Sequence, residues 1–145
     1  MTGPEFRRLS LPASLASLKA FLDFAHAGAD AAELSQADCI RLDLVLEELL
    51  VNVVRYAYHP GTGDVELSYA LNPAGGLLLQ LADNGRIFNP LDREGPALED
   101  NLNARPIGGL GIFLVRQMVD SLTYRRQDGR NILSFLFPAA SQPRT

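Results

Sequence analysis

The chain has one cysteine, Cys39, in 145 residues, so it cannot form an internal disulfide bond. That scarcity favours a reducing compartment, and we expect a cytoplasmic protein. Basic residues are not in excess, because 13 Lys and Arg stand against 17 Asp and Glu. Nucleic-acid-binding domains usually carry a basic surplus, so no nucleic-acid partner is predicted. No apolar run approaches the roughly 18 residues of a membrane-spanning helix, so no membrane partner is predicted either.

Two common nucleotide-binding signatures are also absent. The sequence contains no G-x-x-x-x-G-K-[ST], which excludes a P-loop, and no G-x-G-x-x-G after a predicted strand. Histidine is scarce, and neither His26 nor His59 lies in the context of a phosphoacceptor helix. We therefore do not expect a complete sensor histidine kinase, or a metal site built on these two histidines.

Hydrophobic residues make up 47% of the chain, enough for one domain with its own core, which we expect to span residues 1–145. Apolar residues alternate in segments that we predict to be strands, namely 6–11, 64–71, 76–83, 121–126 and 131–137. Three helices are predicted, beginning near residue 15, after an N-cap at Ser35, and at residue 109. Their order predicts an α+β fold, a mostly antiparallel sheet with helices packed on one face.

A polar face interrupts the second predicted helix, which should end at about Tyr58. Glu48 and Asn52 are four residues apart, so their side chains point the same way, whereas Glu47 is expected to be a surface acid. An i,i+4 hydrogen bond on a partly exposed face would explain the pair. So would a site in which the amide oxygen binds Mg²⁺ while the carboxylate orients a nucleophilic oxygen.

The stretch LADNGRIFNP at residues 81–90 places an acid at the end of a leucine-rich strand. Asp83 ends that strand, and Gly85 follows in a turn. The acid could simply satisfy backbone groups of an Asx-type turn. Alternatively, its carboxylate could accept a hydrogen bond from an exocyclic amine, and Gly85, which has no Cβ, would let a flat base approach the backbone.

Glycines at positions 108, 109 and 111 lead directly into the third predicted helix. The N-terminus of a helix presents free N–H groups and partial positive charge, which suit a phosphate group. A flexible loop that enters a helix would show the same glycines. This segment is therefore a candidate phosphate site, with that simpler interpretation left open.

Together these motifs resemble the Bergerat-type (GHKL) ATPases: E-x-x-x-N on a helix, D-x-G after a strand, a lid-like loop, and a helix opened by G-x-G. The details are most similar to the small anti-sigma factor serine kinases of bacterial partner-switching systems, the RsbW type. The similarity runs from about Leu9 to Phe137 and is strongest in EELLVNVVRYAY, LADNGRIFNPL and RPIGGLGIFLVRQMVD. It implies a two-layer α/β sandwich with a core at residues 9–137 and an ATP lid at residues 91–107.

The resemblance implies ATP and Mg²⁺ as ligands and a role for each motif residue. Glu48 would orient or deprotonate the attacking serine hydroxyl, and Asn52 would bind Mg²⁺. Asp83 would recognise the adenine amino group, with Gly85 beside the base.

The phosphate groups would lie at the third helix. The resemblance assigns their binding to Gly109, Leu110 and Gly111. Arg105, at the end of the lid, is a further candidate for a phosphate contact, although a surface salt bridge would equally explain it.

By the same resemblance, the protein would sequester a sigma factor and phosphorylate a serine or threonine on a STAS-domain anti-anti-sigma protein. The alternatives are a nucleotide-binding interaction module without useful kinase activity and another Bergerat ATPase fragment, such as the catalytic domain of a histidine kinase. Two positions depart from the family: Ile87 replaces the second glycine of D-x-G-x-G, and Tyr56 replaces a histidine found in many related kinases.

A homodimer is predicted from the N-terminal segment. Residues 6–11 would form an edge strand, whose free N–H and C=O groups need to be paired or covered. The following helix has an apolar stripe toward the core, formed by Leu15, Leu18, Leu22 and Ala25. Phe21 and Phe24 add more apolar surface than one face needs. They would contact a second protomer, as in related kinases, or cap the sheet of their own chain.

Overall fold

The computed structural model describes residues 4–92 and 109–139, except for the side chains of residues 109 and 110. The five strands are β1 (Arg7–Pro12), β2 (Asp64–Leu71), β3 (Leu77–Asp83), β4 (Asp120–Gln127) and β5 (Arg130–Phe137). The three α-helices are α1 (Leu18–Ala31), α2 (Gln36–Asn52) and α3 (Gly109–Met118). The lid is predicted at residues 91–107, and its residues 93–107, with Arg105, lie outside the described residues. None of the described helices is long and apolar enough to cross a membrane.

The strands form one antiparallel sheet in the order β1-β2-β3-β5-β4, which leaves β1 and β4 at its edges. Two hairpins build most of it. The turn between β4 and β5 has positive φ at both Asp128 (54°) and Gly129 (77°), as a type I′ turn requires. The predicted α+β fold and both hairpins are confirmed.

The core lies between the helices and the face of the sheet that carries every second residue of β2. Val65 and Leu67 are fully buried there, and Tyr69 is nearly so, whereas Leu71, which belongs to the same alternation, is 49% exposed at the end of the strand. Leu15 is also exposed, because the α-helix begins only at Leu18 and Leu15 lies in a preceding 3₁₀ turn. The predicted apolar stripe of the first helix is therefore wrong at Leu15.

The aromatic residues of α1 pack within their own chain. Phe21 is 2% exposed and belongs to the core. Phe24 packs against Tyr69 of β2, with ring centroids 4.8 Å apart. Gly28 allows this close approach, because a Cβ there would lie 2.7 Å from the Tyr69 ring. The expectation that these aromatics are surplus surface for a dimer is wrong. The homodimer stays a prediction, which the edge position of β1 and the exposed Leu15 favour.

Helix α2 begins as predicted, with the Ser35 hydroxyl accepting a hydrogen bond from Asp38 N at 3.1 Å. Regular α-helix ends at Asn52, and the chain continues as one π-helical turn, Val53–Ala57. Such turns are frequent at functional sites because they shift the side chains that follow. Tyr58 ends the helical segment, as the sequence predicts.

Candidate functional site

The end of α2 carries the first two candidate residues. The Asn52 side chain is 2% exposed, and its Nδ2 donates a hydrogen bond to Glu48 Oε2 at 3.2 Å. Its Oδ1 is buried and accepts no hydrogen bond from the described part of the chain. An unpaired buried acceptor costs about 1–3 kcal/mol, so native structures retain one for a reason. The predicted i,i+4 pair exists, and it leaves one oxygen free for a ligand.

Asp83 lies at the end of β3 and is 4% exposed. Its Oδ1 accepts hydrogen bonds from Gly85 N and from Asn131 Nδ2, both at 2.9 Å. The bond to Gly85 N is that of the predicted Asx-type turn. Both donors use the same oxygen, so Oδ2 remains able to accept from a ligand amine.

Asn131 of β5 is a site residue for which the sequence motifs predict no role. Its Nδ2 donates to Asp83 Oδ1 and to the Arg86 carbonyl at 2.8 Å. Its Oδ1 accepts from Tyr124 OH at 2.6 Å, from Phe88 N at 3.1 Å and from a guanidinium N–H of Arg126 at 3.1 Å. Asn131 therefore fixes both the Asp83 carboxyl and the segment after it.

A signal for Asn131 exists in the sequence. Asn131 lies on the same face of β5 as Leu133, Phe135 and Phe137, and that face packs against the core. A buried amide on an otherwise apolar strand face needs partners, and that need marks it as part of a polar site.

Gly85 packs against protein rather than leaving open space. A Cβ on Gly85 would lie 2.5 Å from the Ala57 carbonyl oxygen, at the end of the π-helical turn. The same oxygen accepts a hydrogen bond from Arg86 N at 3.0 Å, and Arg126 donates to Gly85 O at 2.9 Å. The structure thus gives this glycine a packing role that the sequence did not predict, while its place beside a base stays a prediction.

One small cavity joins the two motifs. Its lining includes Asn52, Asp83 and Asn131, together with Phe88 and Pro90 from the following loop. Its volume of about 10 Å³ is that of a single water molecule, so a nucleotide base requires the loop to move. The Phe88 ring stacks on Tyr56 at a centroid distance of 5.0 Å, so Tyr56 holds this loop in place.

The first turn of α3 lies against Glu48. A Cβ on Gly111 would be 2.0 Å from Glu48 Cδ. Gly109 and Leu110 belong to the same helical turn, but their side chains are not described. The structure therefore brings the E-x-x-x-N helix and the glycine-opened helix into direct contact.

An exposed apolar groove adjoins this contact. It has a volume of about 240 Å³ and lies between α2 and α3, with Glu48 and Gly111 in its wall. Leu44 and Leu114 line it and are 48% and 44% exposed. Large apolar side chains that remain exposed beside a carboxylate are typical of protein-binding surfaces.

The described residues include no group of three or more His, Cys, Asp or Glu side chains that could hold a metal ion. Mg²⁺ bound together with a nucleotide needs only one or two protein oxygens, because phosphates and water supply the others. The unpaired Oδ1 of Asn52 fits that requirement. Asn52 Oδ1 is therefore a candidate ligand for a nucleotide-bound Mg²⁺.

Comparisons with known proteins point to one family. A family model described as "Histidine kinase-like ATPase domain" matches residues 11–137. Serine/threonine-protein kinase BtrW of Bordetella bronchiseptica is 31% identical over 101 residues, which are 70% of this chain and 71% of that protein. Serine-protein kinases RsbW of Bacillus thuringiensis and Bacillus cereus are each 27% identical over 96 residues, 63% of this chain and 59% of each relative.

The burial of Asp83 predicts how stability depends on pH. Burial raises the pKa of its carboxyl above the ordinary value of 3.8, and the hydrogen bonds from Asn131 and Gly85 only partly oppose the rise. Within the window between 3.8 and the raised pKa, the folded state holds more protons than the unfolded state. Asp83 therefore lowers stability progressively as pH rises through that window. Asp83→Asn keeps the accepting Oδ1 and removes this loss.

Urea unfolding of both proteins from about pH 4 to about pH 7 measures the effect. We expect the free energy of unfolding of Asp83→Asn to exceed that of the wild type by an amount that grows with pH. Asp128→Asn, an exposed acid in the β4–β5 turn, is the control and should follow the wild type. If the advantage of Asp83→Asn shrinks with rising pH, burial does not dominate at this carboxyl.

Proposed function

This chain belongs to the histidine kinase-like ATPase domain family, and we propose that it is an anti-sigma factor and an ATP-dependent protein serine/threonine kinase. The kinase class agrees with the relatives named serine/threonine-protein kinase BtrW and serine-protein kinase RsbW. The predicted resemblance to kinases of the RsbW type is confirmed. The observation that carries the proposal is the meeting of Glu48, Asn52 and the first turn of α3.

The nucleotide binds between Asp83, which contacts the base, and the start of α3, which contacts the phosphate groups. Asp83 Oδ2 accepts a hydrogen bond from the exocyclic amine of adenine, while Asn131 Nδ2 and Gly85 N donate to the other carboxylate oxygen, Oδ1. The free N–H groups at the start of α3, from Gly109 onward, bind phosphate oxygens. Phe88 moves away from the cavity to admit the base.

The Oδ1 atom of Asn52 is the protein ligand that fits Mg²⁺. When bound, the ion neutralises negative charge on the phosphate groups. The amide Nδ2 of the same residue donates to Glu48, so a residue that faces the metal also orients the carboxylate.

Glu48 acts on the hydroxyl that receives the phosphoryl group. Its carboxylate accepts the hydrogen bond of a serine or threonine hydroxyl and takes the proton as the O–P bond forms. The bond between the γ-phosphorus and the β,γ-bridging oxygen breaks, and ADP leaves with the bridging oxygen. Phosphoryl transfer depends mainly on position and charge, which is why Glu48 must be held in place.

The substrate in this proposal is a STAS-domain anti-anti-sigma protein. The apolar groove with Leu44 and Leu114 lies beside Glu48 and supports a protein substrate, since hydrolysis by water needs no such surface. A sigma factor is the second proposed partner. With these two partners, the proposed location of the protein is the cytoplasm.

The alternative is an interaction module that binds nucleotide without useful transfer. Ile87, which replaces a family glycine, is 72% exposed, and Tyr56, which replaces a histidine, stacks on Phe88. Neither substitution removes the carboxylate or the amide of the site. We therefore favour the kinase.

Phosphoryl transfer from ATP to STAS-domain proteins of the same organism tests the choice. Glu48→Gln keeps the shape of the side chain and removes the base, so transfer should fall by about 10²-fold or more, while ATP binding in equilibrium dialysis persists. Glu66→Gln, on the opposite face of the sheet, should transfer like the wild type. Tight partner binding with no transfer by the wild type would favour the interaction module. Equal rates for Glu48→Gln and the wild type would remove Glu48 as the base.

We also propose a homodimer through β1 and the start of α1, with protein partners bound across the protomers. β1 is an edge strand, and the neighbouring Leu15 is 56% exposed. Light scattering at micromolar concentration should give twice the chain mass of 15.8 kDa. Leu15→Asp should weaken the dimer, whereas Ile40→Asp, an equally exposed position on α2, should not. A monomeric wild type, with and without ATP, would contradict the proposal.

A further inference from the structure

Gly111 occupies a helical position where its lack of a side chain matters. It lies in the first turn of α3, and alanine stabilises helices better than glycine does. A Cβ at this position would lie 2.0 Å from Cδ, 2.1 Å from Oε1 and 2.6 Å from Cγ of Glu48. Any other residue here would thus overlap the carboxyl group that the proposed function uses as its base.

We propose that Gly111 is a positioning residue whose missing side chain sets the place of the Glu48 carboxylate. The proposal rests on the proposed function for the role of Glu48 as base. It gives Gly111 a task distinct from phosphate binding, because the nearest atoms to its absent Cβ belong to the carboxyl group.

The carboxyl group is held on two sides. Asn52 Nδ2 donates to Oε2, and Oε1 lies against Gly111. The N-terminal end of α3 carries partial positive charge, which favours a carboxylate at this place. The position of the Glu48 carboxylate therefore depends on both α2 and α3, and a shift of α3 would also shift this carboxylate.

Gly111→Ala separates this role from phosphate binding. The overlapping atoms belong to the end of a flexible side chain, so the new methyl group displaces the carboxyl while the backbone of α3 stays in place. We expect Mg²⁺–ADP affinity within about threefold of the wild type. Because small misplacements of a catalytic group can cost on the order of 100-fold, phosphoryl transfer should fall by that order.

Two measurements on the full chain test the proposal. The first is the ¹³C resonance of the Glu48 carboxyl carbon, assigned by its loss in Glu48→Gln. It should move in Gly111→Ala and stay in Phe113→Ala, an exposed position on the same helix. The second compares ADP affinity with the transfer rate in the same variants, with Phe113→Ala again expected to match the wild type.

The outcomes are distinct. A shifted resonance with retained ADP affinity and slow transfer supports the proposal. An unmoved resonance, a wild-type transfer rate, or a loss of ADP affinity as large as the loss of transfer would each overturn it, the last in favour of a phosphate-binding role. A wild type that binds ADP but transfers nothing would reject the kinase itself, while the resonance would still decide whether Gly111 positions the carboxyl.

Discussion

The contact between the turn after β3 and the helical segment that extends α2 determines where the candidate site residues lie. The Ala57 carbonyl accepts a hydrogen bond from Arg86 N, and only a glycine at position 85 lets the two backbones come this close. This contact brings the end of β3, with Asp83, to the last turn of α2, with Asn52. The two residues then line one cavity although they are distant in sequence. A larger residue at position 85 would therefore separate Asp83 from Asn52, because it would push apart the two backbones that carry them.

The site also retains polar groups at a cost to stability. Burial raises the pKa of Asp83, and Asn52 Oδ1 has no hydrogen bond from the described residues. Apolar side chains would stabilise the same positions better, because buried polar atoms without full partners are unfavourable. A ligand with an amine at one end and a cation at the other would provide partners for the Asp83 carboxylate and for Asn52 Oδ1. A magnesium–nucleotide complex has that combination.

Local patterns in the sequence predicted the elements and the shared face of Glu48 and Asn52, because helical period and strand alternation depend on neighbouring residues alone. The contacts of Asn131 and the burial of Phe21 could not be predicted in this way, since both depend on which strands and helices pack together. Asn131 reaches Asp83 only because β5 pairs with β3, and Phe21 is buried only because α1 packs on the sheet. The role proposed for Gly111 likewise requires the approach of α3 to α2. Sequence spacing identified the glycine but not its nearest neighbour.

The proposed function requires Asn52 Oδ1 to bind Mg²⁺ and Asp83 Oδ2 to accept a hydrogen bond from the adenine base. Calorimetric titration of the purified chain with ATP and Mg²⁺ tests both requirements, alongside Asn52→Ala and Asp83→Ala proteins whose folding is checked by circular dichroism. We expect binding to the wild type, a strong loss of affinity in Asp83→Ala, and no binding in Asn52→Ala. A folded wild type that binds no ATP in the presence of Mg²⁺, or variants that bind as tightly as the wild type, would contradict the proposed function.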